Sequence, residues 1–206
     1  MPPRFIYFDL GNVLLDFDHH RAARQMAEVA GVATERVWQA VFESPLELDF
    51  EAGRIDSRQF YEALVQALGV RPDYDRLALA ASAIFEVNPR VLGIAAQLRA
   101  AGYRLGVLSN TCALHWEYVT SGRYAMFPET FEVHALSYRI GALKPDVAMF
   151  RAAAELAGVP PDAIFYVDDI PGHVEGARAA GFDAVVYTDP WTLADDLRAR
   201  GVAFNY

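Results

Sequence analysis

The chain has 206 residues, 53% hydrophobic and 22% charged, which suits one packed domain with a smaller insertion and argues against disorder. Its 18 basic residues face 27 acidic ones, and a net charge of −9 repels phosphate backbones and anionic lipid, so no nucleic acid and no membrane is expected as a partner. The single cysteine, Cys112, excludes an intrachain disulfide and zinc sites built on two or more thiolates, and reads as a small buried residue.

In chain order, Phe5-Ile6-Tyr7-Phe8 comes first, an apolar run ended by Asp9 and Gly11. Such a run predicts a strand buried on both faces, as in a parallel sheet. Residues 18–88 follow and read mainly as helices, over 20–30, 34–43, 57–68 and 73–85, each with apolar positions three and four apart. Asp56 with Gln59 predicts a capping box before the third of these, and Gly31, Gly53, Gly69 and Pro72 mark the joints. Pro89 and Gly102 bracket the next helix. Further strands are predicted at 105–108, 164–167 and 184–187, with a weaker one around 131–136; helices fall between them, at 147–157 and around Ala177. The alternation predicts an α/β fold, a doubly wound, Rossmann-like and mostly parallel sheet, formed by residues 1–17 and 89–206. Residues 18–88 are expected as a helical cap inserted into it. No apolar run approaches the ~18–20 residues that span a bilayer, and Met-Pro-Pro-Arg lacks signal-peptide character, so a cytoplasmic protein is the expectation.

In a doubly wound sheet, ligands bind beyond the carboxyl ends of the strands. The residues there are Asp9, then Ser109-Asn110-Thr111, then Asp168-Asp169, with Lys144-Pro145-Asp146 opening a helix. Singly, each has an ordinary reading as a cap, a turn or a solvated side chain. Together they bring three carboxylates, a hydroxyl and an ammonium to one point. Carboxylates without thiols or paired imidazoles favour Mg²⁺. An ionised Asp beside a metal and a Lys can attack phosphorus, while hydroxyl, backbone N–H and ammonium groups hold the phosphoryl oxygens.

The runs Phe8-Asp9-Leu10-Gly11-Asn12-Val13, Leu108-Ser109-Asn110-Thr111, Leu143-Lys144-Pro145-Asp146 and Tyr166-Val167-Asp168-Asp169 resemble the four motifs of the haloacid dehalogenase-like (HAD) hydrolases, in the same order. The helical insertion falls where that superfamily carries its type 1 cap. Residues 9–18, 51–55 and 108–111 resemble bacterial sugar-phosphate phosphatases of the α-D-glucose-1-phosphatase kind. The resemblance implies Asp9 as nucleophile, and Mg²⁺ held by Asp9, the Gly11 carbonyl and Asp169, with Asp168 beside it or as an alternative ligand. It also implies Ser109 and Lys144 as phosphoryl-binding catalytic groups, with Asn110 and Thr111 nearby and a small phosphorylated substrate.

Two positions depart from the pattern. Two residues after the nucleophile, most phosphatases of the family carry a second Asp that protonates the leaving group; here that position is Gly11. Asp16 or Asp18 is a candidate replacement. At His173 the family often has Asp or Asn, and His173 is a candidate partner for a metal-bound water. In the cap, Glu51-Ala52-Gly53-Arg54-Ile55 lies where the loop toward the active site is expected, with Arg54 as a substrate contact. His19-His20 and Trp116 with Tyr118 are candidates for the entrance. The alternative readings are a 2-haloacid dehalogenase, which Asp168-Asp169 argues against, and a non-catalytic protein on a decayed scaffold, which only Gly11 favours.

Overall fold

The first apolar run forms strand β1 (Phe5–Phe8) in a computed structural model that describes residues 2–124 and 127–206. Strands β4 (Leu105–Ser109), β5 (Val133–Leu136), β6 (Ile164–Asp168) and β7 (Asp183–Val186) complete a five-stranded sheet, ordered β5-β4-β1-β6-β7. Every pairing in it is parallel. Side chains alternate across the sheet. Ile6 and Phe8 enter one core with Val107, Phe165 and Val167, beneath α6 (Pro89–Ala100) and α12 (Pro190–Ala199). Phe5 and Tyr7 enter the opposite core with Ile164 and Tyr166, beneath α10 (Val147–Ala157) and α11 (Pro171–Ala179). Two covered faces explain why the strands read as unbroken apolar runs rather than alternating ones.

After β1 a tight turn leads to β2 (Leu15–Phe17), and five helices follow: α1 (His19–Ala30), α2 (Thr34–Val41), α3 (Leu46–Glu51), α4 (Ser57–Leu68) and α5 (Tyr74–Ser82). They enclose a third core, with Met26, Val37, Phe60, Leu64 and Leu77 buried at its centre. The caps follow the sequence. Asp18 accepts from the His20 N–H before α1, Gly31 ends that helix in the left-handed conformation, and Asp56 and Gln59 form the reciprocal capping box of α4.

The chain returns through β3 (Phe85–Val87), antiparallel to β2, with Phe17 opposite Phe85 and Leu15 opposite Val87. The helix expected over 73–85 therefore stops at Ser82, and its last residue lies in a strand. The remaining helices are α7 (Ala113–Thr120), α8 (Phe127–Thr130) and α9 (Ser137–Ile140). Among the described residues no helix is long and apolar enough to cross a membrane.

Candidate active site

β1 lies between β4 and β6; the crossover that leads into β4 passes through α6 on one face and the crossover that leads into β6 passes through α10 on the other, so the crevice beyond their carboxyl ends is the switch point of the fold. Asp9 is the first residue after β1, and its N–H extends the ladder to the Val167 carbonyl at 2.9 Å. Ser109 ends β4 and Asp168 ends β6. All three are buried.

Lys144 arrives from the segment between α9 and α10. Its backbone is fixed by the Asn110 amide, which accepts from the Lys144 N–H at 2.8 Å and donates to the Lys144 carbonyl at 3.1 Å. The side chain is buried, and its ammonium lies 2.9 Å from Asp9 Oδ1 and 2.6 Å from Asp168 Oδ2. It also donates to the Tyr166 hydroxyl at 2.9 Å and approaches the Leu108 carbonyl at 3.3 Å. Burial alone would depress the ammonium's pKa, but the two carboxylates outweigh it and hold it raised.

Two carboxylates share that one ammonium unequally. Asp168 is met by Lys144, by the Tyr166 hydroxyl, by the Ile170 N–H at 2.8 Å and by His173 Nδ1 at 3.1 Å. Burial opposes its ionisation, but these partners prevail and keep it below the usual carboxylate range. Asp9 Oδ1 accepts from the Leu10 N–H at 2.7 Å and faces Lys144; among the described residues no hydrogen-bond donor meets Oδ2. Burial and the Asp168 charge push Asp9 up to about 6 against the pull of Lys144. Asp169 stands beside them, accepting from Asn12 Nδ2 at 3.1 Å. The site thus holds more carboxylate charge than its ammonium offsets, and its donors are hard oxygens apart from the His173 ring nitrogen. Asp9, Asp168 and His173 present ligand atoms within 4.8 Å of one another. Both features fit a divalent cation such as Mg²⁺.

The other residues singled out in the sequence occupy varied places. Ser109 Oγ donates to the Asn110 carbonyl at 3.1 Å. Thr111 is buried, and its N–H donates to Ser137 Oγ at 2.9 Å. Arg54, expected as a substrate contact, is instead two-thirds exposed and paired with Asp49 at 2.7 Å. Asp18 is taken up by the His20 N–H at 2.8 Å, and Asp16 is exposed on β2 opposite Glu86. His19 and His20 diverge: His19 meets Glu47 at 3.4 Å, while His20 stacks on Trp38 with ring centroids 4.1 Å apart. Trp116 is buried in the sheet core.

Gly11 has a packing reason. A Cβ there would lie 2.5 Å from Cε1 of Phe17, far inside ordinary contact. Three side chains around the site are given no role by the sequence, although Glu51 stands in the cap loop named there. Tyr166 sits two residues before Asp168 on the same face of β6, a signal readable from strand periodicity. Ser137 and the carboxyl of Glu51 depend on contacts between the cap and the sheet domain. Ser137 Oγ donates to the Glu51 carbonyl at 2.6 Å, and Gly53 approaches Tyr138 so closely that a Cβ would lie 2.2 Å from its carbonyl oxygen. A pocket between the cap and α7, lined by Glu47, Glu51, His19, His115 and Cys112 among apolar side chains, adjoins this junction.

A parallel α/β sheet with an inserted helical cap, and an Asp–Lys–Asp cluster at its switch point, define a hydrolase of one class. A family model described as haloacid dehalogenase-like hydrolase matches residues 4–181, and the chain belongs to that family. A phosphatase of Mycobacterium tuberculosis, MT3486, is 28% identical over 87% of this chain and 84% of its own. The glyceraldehyde 3-phosphate phosphatase of Methanopyrus kandleri is 29% identical over 80% of this chain and 72% of its own. The HAD family enzyme bt-2542 of Bacteroides thetaiotaomicron, solved with magnesium and inorganic phosphate, superposes with a TM-score of 0.78 at 23% identity, over 90% of this chain and 94% of its own.

Proposed function

We propose that the protein is a Mg²⁺-dependent phosphatase of small phosphorylated metabolites, sugar or polyol phosphates among them, with residues 18–88 as its cap. The observation that carries this reading is the Lys144 ammonium set between Asp9 and Asp168 at the carboxyl edge of the sheet, with Asp169 alongside. The curated relatives named as phosphatases support it.

Asp9 attacks phosphorus through Oδ2, the oxygen without a hydrogen-bond donor, as the bond from phosphorus to the ester oxygen breaks. Water then attacks the aspartyl-phosphate and releases inorganic phosphate, regenerating the Asp9 carboxylate. Lys144 and Ser109 hold the phosphoryl oxygens and offset charge that develops on them. Asn110 serves by fixing Lys144, and Thr111 by tying its loop to Ser137. Mg²⁺ would be held by Asp9, the Gly11 carbonyl and Asp169, with Asp168 beside it. When bound, it neutralises carboxylate charge and polarises the phosphoryl group. A dehalogenase is disfavoured because Asp168 and Asp169 would repel both a haloacid carboxylate and a departing halide.

The test is phosphate release from 4-nitrophenyl phosphate with and without Mg²⁺, beside halide release from 2-chloropropionate. Turnover is expected only with phosphate ester and metal, and is expected to vanish in Asp9→Asn. Turnover that survives Asp9→Asn, or halide release without metal, overturns the reading.

A further inference from the structure

A phosphatase that expels an alkoxide needs a proton donor at the ester oxygen, and the chain lacks one at the usual place. Gly11 has no side chain, and Phe17 occupies the space one would need. The two acids next in sequence are unsuited: Asp18 is committed to the first turn of α1, and Asp16 is exposed on β2.

A different carboxyl comes from the cap, near enough for its charge to couple to Asp9, Lys144 and His173. Glu51 ends α3, and its carbonyl is pinned by Ser137 Oγ at 2.6 Å. The same hydroxyl accepts from Thr111 N–H at 2.9 Å, two residues beyond Ser109. Gly53 seats the next turn on the Tyr138 backbone. The Glu51 backbone is therefore tied to the loop that carries Ser109 and Asn110. Glu51 is partly buried and lines the pocket between the cap and α7 with Glu47, His19, His115 and Cys112. Among the described residues no group is hydrogen-bonded to that carboxyl, in contrast to Asp168 and Asp18.

We propose that Glu51 is the general acid and base of this enzyme, acting from the cap in place of the absent side chain at position 11; this rests on the phosphatase reading. As the bond from phosphorus to the ester oxygen breaks, the oxygen keeps the electron pair and takes the Glu51 proton. Water next attacks the aspartyl-phosphate and gives its proton to the Glu51 carboxylate, while the bond between Asp9 and phosphorus breaks. The sum is ester plus water to alcohol plus phosphate, with Glu51 and Asp9 restored. The electrostatics agree. Burial pushes Glu51 up to about 7, Lys144 and His173 draw it down, and Asp9 pushes it up. Glu47, on the same helix, and Glu51 repel each other. A general acid works best with a pKa near the operating pH.

The test compares two esters in Glu51→Gln through kcat/KM, which reports steps up to the first irreversible one. Glycerol 3-phosphate leaves as an alkoxide and needs the proton; 4-nitrophenyl phosphate leaves as a stable phenolate. Glycerol 3-phosphate turnover is expected to fall about 10²–10⁴-fold, and 4-nitrophenyl phosphate turnover by less than about tenfold. The fall of wild-type glycerol 3-phosphate turnover at alkaline pH should disappear in the variant. Glu47→Gln should leave the ratio of the two esters unchanged. Equal losses for both esters in Glu51→Gln, or no loss, overturn the role of Glu51 while the phosphatase reading stands. A wild-type protein silent on both esters with Mg²⁺ overturns that reading, and this inference with it.

Discussion

Replacing Gly11 by alanine places one carbon where the Phe17 ring already sits. The new Cβ would lie 2.5 Å from Cε1, whereas carbon atoms pack at about 3.5–4.0 Å, so the ring must retreat by about 1 Å. It has little room, because its centroid is 4.8 Å from the His19 ring and 6.2 Å from that of Phe85. Overpacking of this kind costs about 1–3 kcal/mol. Phe17→Leu alone should cost about 1–2 kcal/mol for a half-buried ring. The double variant should be scarcely less stable than Phe17→Leu, giving a coupling of at least about 1 kcal/mol. Urea unfolding in metal-free buffer measures it, through shifts of the midpoint at constant slope. Additivity within about 0.5 kcal/mol would refute the steric account. The same geometry predicts that Gly11→Asp, which the sequence alone suggests as a way to restore the missing acid, lowers activity here, and by less when Phe17 is also truncated.

Three further expectations follow from the burial and charge of particular groups. Lys144→Met leaves Asp9 and Asp168 buried without their cation and should cost about 3–5 kcal/mol in urea unfolding, part of it recovered by adding Asp168→Asn. Gly31 and Gly53 share a φ of +68°, but only Gly53 abuts Tyr138, so thermal unfolding should show Gly53→Ala more damaging than Gly31→Ala by about 1–3 kcal/mol; equal losses would mean the junction is looser than described. His115 is lowered from 6.5 to about 4, mainly by burial, so as pH falls between those values the unfolded chain binds a proton that the folded chain does not. Stability should drop there by about 3 kcal/mol. Glu47 and Glu51, both raised to about 7, act in the opposite sense, so the readout is the difference between wild type and His115→Gln across the pH series.

The sequence carried the sheet because burial on both faces writes each strand as a continuous apolar run ending in the polar residue that reaches the site. Asp9, Ser109 and Asp168 were legible for that reason, and Lys144 through its place in the motif order. The short elements were not. β2 and β3 span three residues each and mix acidic with apolar positions, so Phe85 read as the end of a helix. α3 has six residues behind Pro45, too few for a period to declare itself. Pairings across the fold were equally hidden. Nothing in the order of residues says that Asp49 occupies Arg54, that Phe17 fills the space beside Gly11, or that Ser137 reaches across to Glu51.

The two-stranded ribbon has a consequence for how such a protein can change over time. Phe17 and Phe85 face each other across β2 and β3, so the chain leaves the sheet domain and returns to it at one doorway. Seen from the sheet, everything between them is a hairpin loop with its ends already joined, and loop closure grows only slowly in cost with length. The helical segment can therefore be lengthened, shortened or exchanged without moving a strand, leaving Asp9, Ser109, Lys144 and Asp168 in place while the chamber above them, Glu51 with it, is rebuilt for another molecule.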